Sequence, residues 1–206
     1  MRNAATRWAT TAVALVSASP AWAHHVMDGA MPTTWAQGLL SGLGHPVIGI
    51  DHLLFVIAVG LLASRFPRGY LLPLPFLIAT LAGALVHLGG ADLPLAEILI
   101  AASVLLLGTV LALPVRLPVV AAATLLALAG LAHGYAYAES IIGAEPAPLL
   151  AYAIGFLAIQ YAIATAAWAA ARYLQTRPWR PYATAVRAAG ALIGGFGAVA
   201  LAMAAT

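Results

Sequence analysis

Cysteine and lysine are both missing from this chain of 206 residues. Without thiols there are no disulfides and no thiolate metal sites, so any bound metal has to be held by His, Asp, Glu, Met or backbone groups. Charge is scarce too. Only 7% of the residues are charged and 64% are hydrophobic, against about 25% charged in an ordinary soluble domain, which excludes a soluble globular protein. All nine basic residues are arginines. A pI near 9.6 raises nucleic acid as a partner, but the arginines are scattered between apolar segments and form no basic patch. They read instead as a membrane-topology signal.

What is present begins with an export signature. Arg2 and Arg7 precede an apolar stretch from Trp8 to Ala18, then Pro20 and Ala21-Trp22-Ala23. Small residues before a cut after Ala23 fit a cleavable signal peptide over 1–23, and the mature chain would open on His24-His25. An uncleaved anchor is the rival reading, though the apolar part is short for a span. Residues 24–206 then form a single transmembrane domain.

Six further apolar segments follow, at approximately 44–63, 71–89, 93–113, 117–138, 148–171 and 183–204. Each is near the roughly 20 residues with which a helix crosses the hydrocarbon. The segments are continuously apolar and lack the alternation of a membrane β-barrel, so the expected fold is all-α: a polytopic bundle of six helices after the signal peptide. With an outside start, Arg65, Arg68, Arg116, Arg172, Arg177, Arg180 and Arg187 all fall on cytoplasmic loops or flanks, whereas Asp92, Glu139 and Glu145 fall outside. A wrong helix count would scramble that segregation. Both mature ends are therefore expected in the periplasm, and the protein in the bacterial inner membrane. Helix glycines such as Gly83, Gly190, Gly194, Gly195 and Gly197 read as close packing within the bundle or between copies in a homo-oligomer. Trp35, Trp179, Tyr70 and Tyr182 read as interfacial anchors.

The ionisable groups inside the spans are the functional signal. A charged or strongly polar side chain near the bilayer interior costs roughly 2.5–3.5 kcal/mol, so such residues mark sites. With a rise of about 1.5 Å per residue, His45 opens the first helix and Asp51 and His52 lie about 10 Å in. His87 lies a turn below the outer end of the second helix, Glu97 a turn into the third, and His133 two turns into the fourth from Glu139. All lie in the outer half. The inner half holds only neutral polar residues such as Thr80, Ser103, Thr109, Thr124, Gln160 and Thr165. On a regular helix His45 and His52 stand about 10 Å apart along the axis and cannot share an ion; either they serve different stations or the helix is broken. Pro46 fits a first helical turn, Gly49 permits local unwinding, and Gly134 beside His133 permits close approach of the first helix. Imidazole with carboxylate suits a divalent transition metal. His87 has an alternative as a packing residue bonded to a neighbouring carbonyl, and Glu97 as a hydrogen-bonded group.

At these residues the chain resembles the HupE/UreJ family of small membrane proteins. The likeness lies in His45-Pro46-x-x-Gly49-x-Asp51-His52, in His133-Gly134-x-Ala136, in the exported N-terminus followed at once by histidine, and in the six-helix length. The second family motif resembles HGxAxGxE; here Ala138 stands where glycine is expected, and Glu139 is kept. The resemblance implies nickel or cobalt supply to hydrogenase or urease, with His45, Asp51, His52, His133 and Glu139 handling the metal. The expected activity is secondary uptake of Ni2+ or Co2+, with no prosthetic cofactor and no ATP, since a GxxxxGK[ST] loop is missing. His24 and His25, with Met27, Asp28 and Met31, would collect the ion at the mouth. Binding needs neutral imidazole, so uptake should fall below about pH 6.5. Two other readings compete: an intramembrane zinc hydrolase using His52, His133 and His87, and a metal sensor or accessory protein that transports nothing.

Overall fold

Thr34 and Gln37 start the first helix by capping each other. The Thr34 hydroxyl accepts the Gln37 backbone N–H at 3.2 Å, and the Gln37 side-chain oxygen accepts the Thr34 N–H at 3.2 Å. This reciprocal box opens α1 (Trp35–Ile48). In this computed structural model, which describes residues 31–177 and 182–206, α1 ends at Gly49, whose backbone is extended (φ −71°, ψ 103°). The next helix, α2 (Ile50–Ala63), leaves at a bend of 80°.

Local chemistry accounts for the break. Pro46 has no N–H to give to the carbonyl one turn back, and Gly49 disfavours helix by about 1 kcal/mol relative to Ala. On the far side, the Asp51 carboxylate accepts the His52 backbone N–H at 2.8 Å. That satisfies a donor at the new helix start, where negative charge also complements the helix dipole. The helix expected over 44–63 is therefore two helices, beginning at Trp35. His45 does not open a helix; it sits in the last turn of α1.

The other elements lie close to the expected segments. A 3-10 turn at Gly69–Leu71 leads into α3 (Pro73–Leu88), followed by α4 (Ala96–Ala112), α5 (Val119–Glu139), α6 (Pro146–Gln175) and α7 (Tyr182–Ala204). Among the described residues there is no strand. Four of these helices, α3 with its 3-10 turn, α5, α6 and α7, are long and apolar enough to cross a membrane, and the bent α1–α2 pair counts as a fifth if it is one span. The apolar α4 is shorter, at 17 residues. The chain is a multi-pass membrane protein with four to five spans by length and composition, where segmentation of the sequence has six. The leader expected at 1–23, His24, His25 and Trp179 lie outside the described residues.

The core forms around α2, whose Phe55, Val56, Ala58 and Val59 are fully buried. The tightest helix pairs are α3 with α5, α4 with α7, and α1 with α6. Small residues make them possible. A Cβ on Gly83 would run into the Leu131 carbonyl, one on Gly134 into the Thr80 carbonyl, and one on Gly108 into the Gly194 backbone. Gly134 thus admits α3, not the first helix as expected. Gly195, unlike its neighbours in the series, faces open space. Ile78, Val120 and Leu192 are more than two-thirds exposed on the outer faces (71%, 72% and 77%), as lipid-facing side chains would be.

The helix ends segregate by charge. Arg65 donates from Nη1 to the Val110 and Val115 carbonyls at 3.1 and 3.2 Å and from Nη2 to the Leu111 carbonyl at 2.7 Å. The Ser64 and Tyr182 hydroxyls lie 2.6 Å apart, and Gln175 donates to the Ser64 carbonyl at 3.0 Å. The C-terminal ends of α2, α4 and α6 therefore meet the start of α7 at the arginine-rich end. Tyr182 is an internal tie as well as a residue at a helix end.

Candidate functional site

Breaking the first span at Gly49 folds His45 back toward His52. Their ring centroids are 5.9 Å apart, well inside the axial separation of about 10 Å that an unbroken helix would impose. The third imidazole comes from α5: His52 Nδ1 and His133 Nδ1 are 2.8 Å apart. All three are buried, with exposures of 2%, 2% and 0% for His45, His52 and His133. Tyr137 fills the space between them, its ring 4.4 Å from His52 and 5.1 Å from His45. Phe55 and Phe76 close the other side of His133.

Hydrogen-bond direction fixes the tautomers. The Ser103 hydroxyl donates to the Ile100 carbonyl at 2.7 Å, so its oxygen accepts from His133 Nε2 at 2.9 Å. With the proton on Nε2, the His133 lone pair lies on Nδ1, and His52 supplies the shared proton from its own Nδ1. The same logic holds at His45. The Tyr152 hydroxyl donates to the Tyr137 carbonyl at 2.6 Å and lies 3.0 Å from His45 Nδ1, with Ser140 Oγ at 3.1 Å from that nitrogen. His45 Nδ1 therefore carries the proton. A protein contact on one ring nitrogen leaves the opposite nitrogen of His45 as the basic one, an arrangement common around metal-binding imidazoles.

Ser103, Tyr137, Ser140 and Tyr152 have no place among the sequence-derived candidates. Ser103, expected in the inner half, lies at the level of His133. The signal available for it was its depth near the middle of a short span; for the tyrosines and Ser140 it was their position within a turn or two of His133 and of the loop that follows. The Tyr137 hydroxyl is buried and has no partner among the described residues, although its ring touches both His45 and His52. Deeper in the bundle, Gln160 is fully buried, donates to the Phe156 carbonyl at 2.9 Å, and has its Oε1 without a partner among the described residues.

The other candidates take separate positions. Asp51 is half-buried and engages the α2 N-terminus. Glu139 closes α5 and is exposed, as is Glu97 in the first turn of α4. His87 takes its packing alternative: Nδ1 donates to the Tyr135 carbonyl at 2.8 Å and the ring stacks on Tyr135 at 3.8 Å. Ala138, at the family's glycine position, is buried within an α5 that stays helical to Glu139. Among the described residues, no group of three or more His, Asp or Glu side chains closes around one point.

No solved structure matches the chain. It is similar to a protein named Protein HupE from Rhizobium leguminosarum bv. viciae, with 32% identity over 151 residues that cover 72% of each chain. The family model described as HupE / UreJ protein matches residues 12–200, a stretch that takes in both histidine motifs and nearly all of the bundle. The chain therefore belongs to the HupE / UreJ family.

Proposed function

We propose that this protein is a secondary permease that carries Ni2+ or Co2+ from the periplasm to the cytoplasm and so supplies the maturation of a metalloenzyme such as hydrogenase or urease. The observation that carries the reading is the His52–His133 pair. Two nitrogens bound to one first-row ion at about 2.0–2.1 Å stand about 2.9–3.4 Å apart, so the observed 2.8 Å needs only a few tenths of an ångström of opening. The ion takes the place of the shared proton, which is why binding is linked to pH. Imidazole suits nickel and its neighbours in the first row better than magnesium or calcium.

Two imidazoles make a weak site, and that favours a carrier over a resident metal. Conduction requires binding strong enough for entry and weak enough for exit. His45 and the Tyr137 hydroxyl supply further donors on the side of the break, Asp51 and Glu139 supply negative charge toward the mouth, and Gln160 Oε1 offers an oxygen deeper in the bundle. In this reading six crossings place both mature ends outside, and His24 and His25 gather the ion. The test is radiolabelled nickel uptake by cells expressing the protein or its His52→Ala variant, at matched membrane levels. Uptake that depends on the wild-type chain and collapses in the variant supports the permease; equal uptake by both removes His52 from the mechanism.

A further inference from the structure

The bundle's other end contains a cavity of about 590 Å³ between the ends of α2, α4 and α7, within the roughly 300–1,000 Å³ range of small-molecule sites. Arg65, Arg116 and Arg187 line it, with Tyr182, and Leu62 and Phe66 contribute apolar wall. Among the described residues no carboxylate lines it. Asp51, Glu97 and Glu139 belong to the opposite ends of their helices.

Topology alone does not account for this convergence. Arg68, Arg172 and Arg177 sit at the same end without lining the cavity, as a simple positive-inside bias allows. Arg65, by contrast, is half-buried and fixed by three carbonyls at and beyond the C-terminal end of α4. Burial lowers its pKa; the Tyr182 hydroxyl opposes that shift and the like charge of Arg187 adds to it. Three arginines line one cavity with no acid among the described residues that line it, beside an apolar wall and at the end of a membrane bundle. This combination matches an amphiphile with a phosphate head, since guanidinium binds phosphate oxygens in a bidentate fork and basic pockets between transmembrane helices take anionic head groups.

We propose that this cavity binds the phosphodiester head group of an anionic phospholipid. The experiment is native mass spectrometry of the full chain extracted from membranes and exchanged into nanodiscs of phosphatidylglycerol or phosphatidylcholine. A photoactivatable phosphatidylglycerol maps the contact in parallel. The wild type should retain phosphatidylglycerol and not phosphatidylcholine, with crosslinks to 113–117 and 182–187. Arg116→Gln combined with Arg187→Gln should weaken retention by about tenfold to thirtyfold, the effect expected for two basic side chains at a membrane surface, while Arg65 stays in place to hold α4. Arg68→Gln, at the same end but outside the cavity, should retain the lipid. Unchanged retention in the double variant, or crosslinks elsewhere, overturns the proposal. So does inorganic phosphate that displaces the lipid and protects the wild type against heat equally well, because the site would then take the free anion. None of these readouts depends on metal uptake.

Discussion

His52 and His133 present their Nδ1 atoms to each other across 2.8 Å although 81 positions separate them in the chain. Each imidazole is the partner of the other's Nδ1 in a site that is almost fully buried, so the pair acts as a unit. His52→Ala and His133→Ala should each abolish most nickel uptake, and the double variant should lose no more than the worse single one, as members of one unit do. His133→Ala also removes the partner of His52 Nδ1 and one of the two hydrogen bonds of Ser103 Oγ, which keeps its bond to Ile100, so stability should fall by about 1–3 kcal/mol. Uptake normalised to protein level, with thermal unfolding in detergent, checks both parts; additive losses in uptake would separate the two residues.

Ser103 holds His133 in one tautomer by spending its hydroxyl proton on Ile100. Ser103→Ala removes that acceptor and should reduce uptake by about tenfold or more without preventing assembly, whereas Ser103→Thr keeps the hydroxyl and should restore most of it. A metal-ligating His whose outer contact is removed typically loses about 10–100-fold in affinity or activity. Concentration dependence of uptake provides the check: a positioning role appears as weaker apparent affinity in the alanine variant and recovery in the threonine variant.

Competition between the ion and protons for the same nitrogens gives a pH signature. Protonation removes the imidazole lone pair, so uptake should be full at neutral pH and decline as the external pH falls into the acid range. The measurement uses proteoliposomes with the membrane potential and the pH gradient clamped. A flat profile from neutral to mildly acid pH would mean that imidazole coordination does not limit transport.

Bundle packing makes an opposite pair of forecasts for two glycines. Gly134→Ala drives a Cβ into the Thr80 carbonyl, and backbone cannot yield as a side chain can; the variant should lose about 1–3 kcal/mol of stability. Gly195→Ala meets nothing within 4 Å and should be neutral or gain up to about 1 kcal/mol from helix propensity. Thermal midpoints of the two variants in the same detergent decide it.

Hydropathy made most of this bundle legible, because the elements from α3 to α7 announce themselves as apolar runs with polar breaks. The histidine motifs were legible for the same reason: few imidazoles in an apolar chain stand out. The start of the first span was not, since Trp35 to Leu43 is less apolar and mixed with Gln37, Gly38, Ser41 and Gly42; only the Thr34-x-x-Gln37 box marks its beginning. Gly49 and Pro46 signalled a possible break, but its 80° angle depends on how α1 packs against α6. Ser103, Tyr137, Ser140 and Tyr152 are ordinary span residues until tertiary contacts bring them to the imidazoles. His87 shows the converse, a conspicuous residue whose nitrogen is taken by a backbone carbonyl.

The bend at Gly49 is itself testable, and the lack of cysteine helps. Cysteines introduced at Ala36 and Leu61 would be the only thiols available for spin labels. With a rise of about 1.5 Å per residue, a straight helix separates these backbone positions by about 38 Å, and two arms meeting at an 80° bend by about 29 Å. Pulsed dipolar distances should report the shorter value. Replacing Gly49 and Pro46 together by Ala favours a continuous helix, through better propensity and a restored N–H, so the distance should lengthen. Nickel uptake should fall in the same variant, because straightening carries His45 about 10 Å from His52 along the axis. If the distance lengthens and uptake is unchanged, His45 has no part in handling the ion, and the His52–His133 pair suffices by itself.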